Sequence, residues 1–283
     1  MSLAKERLKE RISKEWNAPA LVAAYRKWDK EESAWGREAT EVIVQRANLE
    51  PGMTVLDLAS GHGEPSLALA QAVGPEGHVT ATDTASELLT IAKAKANRMR
   101  LKNMTFRRAD GHDLPFPDCT FDRVTCKWGV MYFADYQQAL QESLRVLKPD
   151  GRATFLAWGR SQKQAQPQPP EPTTSSAFTF SEPGSLTTAL REAGYTSVEE
   201  EQMAISLVFP GTPERCWEWF VDMSAPFEPA NPVSKGAARI RIEDVEQKQH
   251  KRALSQVRVG FEKRYDGKQV TLPGVIVVAS GSR

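Results

Sequence analysis

Val55-Leu56-Asp57-Leu58-Ala59-Ser60-Gly61-His62-Gly63-Glu64-Pro65-Ser66 is the stretch whose reading decides the fold. A short apolar run enters a glycine-containing turn, and a helical pattern starts at once. The apolar run, 53–58, reads as a buried strand. Gly61 and Gly63 permit positive φ and close approach of the backbone to a ligand. Residues 64–73 read as a helix, with Pro65 in its first turn, where a missing N–H costs nothing. The N-terminus of such a helix offers free N–H groups to a carboxylate or phosphate. Glycine turns after strands are common, so this unit alone does not name a ligand.

Working outward, strand and helix alternate. Strands are expected at 78–82, 104–107, 121–126 and 153–158, with helices at 85–100 and 135–147 between them. Alternation of this kind predicts a parallel sheet covered by helices on both faces. Residues 184–194 read as a helix, and 197–208 and 274–279 as two further strands. The first fifty residues are helical in pattern, closed by the Pro51-Gly52 turn. Four segments are expected: a helical lid over 1–48, an α/β core over 49–208, a helical cap inserted over 209–266, and a last core strand in 267–283. The core contains a Gln- and Pro-rich surface loop at 160–176, where nothing can pack. The cap is too long for a hairpin loop, and a charged helix is expected there from about 233 to 259.

Two acidic positions strengthen the ligand reading. Asp83 ends the second strand, about twenty residues after Gly63, where a carboxylate can accept from both hydroxyls of a ribose. It could instead cap the next helix, but Thr84 or Ser86 could serve there equally well. Asp110, in Ala109-Asp110-Gly111, ends the third strand and can accept from an exocyclic amine. A simple turn aspartate is the competing reading.

Taken together, these segments resemble the class I S-adenosylmethionine-dependent methyltransferases, in the small-molecule branch related to ubiquinone and menaquinone biosynthesis. VLDLASGHGEPSLALA stands at the family's first motif, ATDTASELLTIAKAKA at its acidic second strand, RRADGHDLPFPDCTFDRVTC at the adenine-contact and fourth-strand region, and ALQESLRVLKPDG before strand five. The resemblance covers roughly residues 50–160. It implies a Rossmann-like, doubly wound α/β fold with a seven-stranded sheet, mostly parallel with the last strand antiparallel. It implies S-adenosyl-L-methionine as cofactor. Asp57 would bind its methionine amino group, and the backbone from Ala59 through Ser60 and Gly61 to Gly63 would hold its tail. Asp83 and Thr84 would meet the ribose, Leu88 one face of the adenine, and Asp110 and Gly111 its edge. Lys127 would line the methionine end through its backbone. Lid helices of similar enzymes close over the cofactor, which points to Tyr25 and Trp28. The sequence departs from the family in having Ala59 at the first glycine position. Alanine fits there if φ stays negative. An Asn-Pro-Pro-Tyr motif is absent after strand four, where Lys127-Trp128-Gly129 stands.

Composition narrows the partners. The 283 residues carry 37 Lys and Arg against 36 Asp and Glu, a net charge of +1, which gives no global field for nucleic acid. The three cysteines make no disulfide framework or zinc pattern, and no metal is expected. The N-terminal stretch has no apolar run of signal or membrane-span length, so a cytoplasmic protein is expected, with no membrane partner. The expected partner is a small-molecule methyl acceptor held between the N-terminal helices and the cap, walled by aromatics such as Trp16, Trp35, Trp217 and Phe220. Oligomeric state is not readable. Methyl transfer from a sulfonium is an in-line displacement that needs alignment and exclusion of water. His62, His112, Tyr132 and Asp135 lie near strand ends, yet none is singled out as catalytic. Two alternatives stand beside this reading. One is a non-catalytic S-adenosylmethionine-binding module. The other is an NAD(P)-dependent oxidoreductase, against which Ser66 replaces the third glycine of GxGxxG and Asp57 sits inside the first strand.

Overall fold

The structure is a computed structural model that describes residues 3–160, 177–224 and 259–283. Four helices come first: α1 (Leu3–Trp16), α2 (Pro19–Lys27), α3 (Asp29–Trp35) and α4 (Arg37–Arg46). The sheet elements follow as β1 (Thr54–Leu58), α5 (Ser66–Val73), β2 (His78–Asp83), α6 (Ser86–Arg98), β3 (Met104–Arg108), β4 (Phe121–Lys127), α7 (Tyr136–Val146) and β5 (Leu147–Trp158). Then come α8 (Ser185–Glu192), β6 (Thr196–Pro210), α9 (Pro213–Ser224) and β7 (Gln269–Ser282).

The seven strands lie in the order β3-β2-β1-β4-β5-β7-β6. The first five pair in parallel, and β7 runs antiparallel to both β5 and β6. This is the doubly wound sheet the sequence predicts. From β1 the chain winds outward to β2 and β3, then returns to start β4 on the other side. The direction reverses between β1 and β4, so their carboxyl ends open a crevice, the usual ligand position in such sheets.

Why these residues build this sheet is visible in their burial. Val55, Leu56, Asp57 and Leu58 are all buried, as a strand covered on both faces requires. Leu56 and Leu58 join Val124, Phe155, Leu140 and Leu190 in the main core, which α7 and α8 close. On the opposite face, Val55 and Val79 pack with Leu69 and Val73 of α5.

Some boundaries differ from expectation for local reasons. Pro65 is the N-cap of α5 and lies just outside its first turn. The Lys148-Pro149-Asp150-Gly151 turn is absorbed into β5, which begins at Leu147; Asp150 takes φ +62° and the β4–β5 register shifts there. The last strand starts at Gln269, ahead of the Pro273-Gly274 pair that masks it in the sequence. Gly274 fits because a Cβ would come within 2.9 Å of the Leu207 side chain. Of the expected cap, α9 and a helical turn from 259 are described. The body of the charged helix, 233–258, and the loop residues 161–176 lie outside the described residues. Among the described residues no helix is long and apolar enough to cross a membrane.

Candidate cofactor and acceptor site

A cavity of about 1020 Å³ opens where the β1 and β4 ends diverge. Its floor is the carboxyl edge of the sheet, from Leu58 on β1 through Thr82 and Asp83 on β2 and Arg108 on β3 to Lys127 on β4. Its roof is α1, through Lys9, Ser13 and Trp16, with Tyr25 of α2 and Glu32 of α3 beside it. Ten of the thirteen residues singled out from the sequence line it: Tyr25, Ala59, Ser60, Gly61, Asp83, Thr84, Leu88, Asp110, Gly111 and Lys127.

The glycine turn is held by its neighbours. Ser60 N–H donates to Thr82 O at 2.9 Å, and Gly61 N–H donates to Asp83 Oδ2 at 2.8 Å. Asp83 Oδ1 accepts from Ala85 N–H at 2.8 Å, so the carboxylate does take the capping role as well. Each oxygen keeps acceptor capacity toward the cavity. Burial pushes the Asp83 carboxyl up, against these backbone donors. A Cβ on Gly61 would meet nothing within 4 Å, so its face is open to the cavity. The Ser60 hydroxyl is buried and has no hydrogen-bond partner among the described residues.

Three expected site residues are placed elsewhere, and each placement has a cause. Asp57 is fully buried beneath the turn. Its Oδ1 accepts from Thr125 Oγ1 at 2.7 Å and its Oδ2 from the Ser66 hydroxyl, so it ties β1 to β4 and α5 instead of reaching the cavity. Burial pushes its carboxyl up to about 7, against the two hydroxyl donors. Gly63, at φ +109°, is needed for packing: a Cβ would lie 3.1 Å from Ala92 Cβ and 3.2 Å from Leu67 Cδ1. Trp28 is 1% exposed, its ring tilted against Phe209, with its indole N–H on Asp222 at 2.8 Å. It belongs to an aromatic core with Trp219 and Phe261.

Ala59 departs from expectation too. It takes φ +52°, the left-handed region, where an alanine costs about 1 kcal/mol relative to glycine. Gly129 makes room for its methyl: a Cβ there would fall 2.5 Å from Ala59 Cβ. The cap side of the expected acceptor position is described only in part. Among the described residues none from 209–266 lines the cavity. Trp217 and Phe220 pack against the aromatic core, and the Trp35 ring is tilted 4.6 Å from that of Trp219. Of the expected aromatic wall, Trp16 is at the cavity, edge-on to Tyr132 at 5.6 Å.

At the adenine end, Asp110 is engaged. Its Oδ1 accepts from the His112 backbone N–H at 3.0 Å and ring Nδ1 at 2.6 Å, and its Oδ2 pairs with Lys9 of α1. Burial raises its pKa, but the His112 and Lys9 hydrogen bonds outweigh this and hold it well below the usual carboxylate range. Sequence reasoning missed Lys9, because one lysine in a charged helix carries no signal of the carboxylate it will meet.

At the opposite end the expected Lys127 lies beside two residues, Glu32 and Trp128, that the sequence did not single out for a role. Glu32, Lys127 and Trp128 meet there. Glu32 Oε1 accepts from Trp219 Nε1–H at 2.7 Å. Lys127 is 9% exposed and donates to Thr40 Oγ1 at 2.8 Å. Burial pushes Glu32 up to about 7 and Lys127 down to about 8. Beyond them, Lys95 bridges Asp29 at 2.9 Å and meets His62 Nδ1 at 3.1 Å, while Tyr25 packs on the His62 ring at 5.0 Å.

These features fit S-adenosylmethionine. A buried hydroxyl without a partner, an open glycine face and an acidic strand end surround one side of the cavity, and buried Leu88 supplies an apolar wall.

Comparison with known proteins agrees with the geometry. Residues 31–169 match the ubiE/COQ5 methyltransferase family. A demethylmenaquinone methyltransferase of Halalkalibacterium halodurans is 33% identical over 147 residues, which is 52% of this chain and 57% of that protein. One of Listeria welshimeri is 34% identical over 122 residues, 43% of this chain and 50% of that protein. The chain thus spans about half the length of these curated relatives. A putative methyltransferase from Bacillus halodurans shares the fold with TM-score 0.56 at 19% identity, over 87% of this chain and 98% of that one. Haemonchus contortus phosphoethanolamine N-methyltransferase 2 gives TM-score 0.56 at 14% identity, over 93% of this chain and 56% of that one. Sheet order, motif placement and the family match over residues 31–169, about half of the chain, together make this stretch similar to the ubiE/COQ5 methyltransferases on a class I methyltransferase fold.

Proposed function

We propose that this chain transfers the methyl group of S-adenosylmethionine to a small-molecule acceptor bound in the same cavity. The observation that carries the reading is one roofed cavity of about 1020 Å³, at the upper end of the range for small-ligand sites, with room beyond the cofactor walls. When bound, the cofactor supplies an activated methyl group for in-line displacement. The protein's part is to orient and to exclude water. Ser60, Gly61, Asp83, Thr84 and Leu88 would hold the cofactor, and the α1 roof would keep water from the transfer. Near-neutral charge and a deep cavity favour a metabolite over nucleic acid. The names of the relatives make a reduced naphthoquinone the first acceptor to try.

The test is S-adenosylhomocysteine formation with 1,4-naphthalenediol and a panel of small phenols, amines and thiols, beside transfer RNA and peptide controls. Turnover with a small acceptor is expected. Transfer to the macromolecules alone, or cofactor binding with no transfer at all, would sink the reading.

A further inference from the structure

The end of the cavity away from Asp110 holds three polar groups with unused capacity. Glu32 uses Oε1 on Trp219, and Oε2 has no hydrogen-bond partner among the described residues. Lys127 Nζ uses one N–H on Thr40, which leaves two donors. Trp128 Nε1 is buried and unpartnered among the described residues. Trp128 also takes φ +58°, a strained conformation for a bulky residue. It is kept there by stacking on Trp158 at 4.4 Å and by the Lys127 ammonium 5.0 Å over its ring. Gly36 permits this gathering, since a Cβ would lie 3.2 Å from Lys127 Nζ and 3.3 Å from Trp128. The groups come from α3, β4 and the residue after β4. A buried cation with donors to spare, an unpartnered indole N–H and a carboxylate with a spare oxygen all belong to residues that line one cavity, and together they suit a ligand that gives up a proton and gains negative charge.

We propose that Glu32 is the proton acceptor for the methyl acceptor's X–H group, and that Lys127 Nζ and Trp128 Nε1 hold the electron-rich atom this exposes. This rests on the small-molecule reading above. The X–H proton passes to Glu32 Oε2. The electron pair left on the acceptor forms the bond to the methyl carbon as the carbon–sulfur bond breaks, and that bonding pair stays on sulfur and discharges the sulfonium. Glu32 then returns its proton to solvent. A carboxyl raised to about 7 by burial suits this task, as a base poised near operating pH. The charged groups facing Glu32 are Lys127 on β4 and Lys95 on α6, both of which lower its pKa. Glu64 of the glycine turn faces Lys127 and raises it.

The full chain with S-adenosylmethionine bound is compared with Glu32→Gln, in which the amide oxygen can still accept from Trp219. Using 1,4-naphthalenediol as acceptor, kcat should fall by about 100-fold or more while KM and cofactor affinity change by no more than about threefold. The wild-type rate should rise with pH through about 7 as Glu32 ionises and fall above about 8 as Lys127 loses its proton. The variant should lose the rising limb. Trp128→Phe should cost about 100-fold in kcat. An activity-independent readout accompanies these: infrared difference titration of the cofactor-bound protein should show protonated carboxyl intensity near pH 7 from Glu32 and Asp57, of which Glu32→Gln removes the Glu32 share and Asp57→Asn the other. Unchanged kcat in Glu32→Gln overturns the proposal, as does a loss confined to cofactor affinity. A Glu32 that stays ionised well below pH 7 in the infrared titration overturns it too. If the wild type methylates no small acceptor while the Glu32 share is present, the small-molecule reading has failed and the base has not.

Discussion

Asp57 shows how a residue can sit where the sequence places it and still make contacts the sequence does not announce. A carboxylate at the end of the first strand is what the family pattern calls for, and it sits there. The pattern does not reveal that Thr125 and Ser66 converge on it and seal it off from the cavity. Its consequence is electrostatic. Burial raises its carboxyl from 3.8 in the unfolded reference to about 7 in the fold. A raised carboxyl contributes stability that is fully present below the lower value and lost as pH rises through the upper one. The free protein should therefore lose stability between about pH 4 and 7, by an amount on the order of a few kcal/mol. Asp57→Asn, which leaves an acceptor for one hydroxyl, should flatten that dependence in urea titrations run across the range. An unaltered slope would place the titrating group elsewhere, with Glu32 the next candidate.

At the scale of elements, the alternation of apolar strands with Ala- and Leu-rich helices made the sheet legible, because a doubly covered parallel strand leaves a continuous apolar run. The same periodicity placed α5, α6 and α7 to within a residue or two. What it could not place was the meeting of distant surfaces. Lys9 on Asp110, Glu32 under Trp219 and the unpartnered Trp128 indole all depend on how α1 and α3 sit on the sheet, and a charged helix looks alike whichever way it docks. Gly63 was legible as special, and its packing role was not. Its missing side chain lets α5 approach α6, where a Cβ would lie 3.1 Å from Ala92. Gly63→Ala should cost about 1–3 kcal/mol of stability, read as a lower denaturant midpoint, through overpacking and its φ of +109°. Cofactor affinity at saturating fold should stay near the wild-type value. A stable variant with weak affinity would restore Gly63 to the binding surface.

At the scale of the whole molecule, the sheet supplies a floor and the N-terminal helices supply a roof. The aromatic core of Trp28, Phe209 and Trp219 fixes α2 and α3 against β6 and α9, and so fixes Glu32 at the cavity. In the proposed division of labour, adenosine would lie toward Asp83 and Asp110, and chemistry toward Glu32, Lys127 and Trp128. Its central claim is that this one cavity binds S-adenosylmethionine with the ribose at Asp83. Calorimetric titration of the full chain and of Asp83→Ala tests it most directly. The wild type should bind one equivalent of S-adenosylmethionine. The variant should bind about 1–3 kcal/mol more weakly, roughly 5- to 150-fold, for the ribose hydroxyls left unpaired. Equal affinity in a folded Asp83→Ala, or binding of NAD(H) in place of S-adenosylmethionine, would contradict the account.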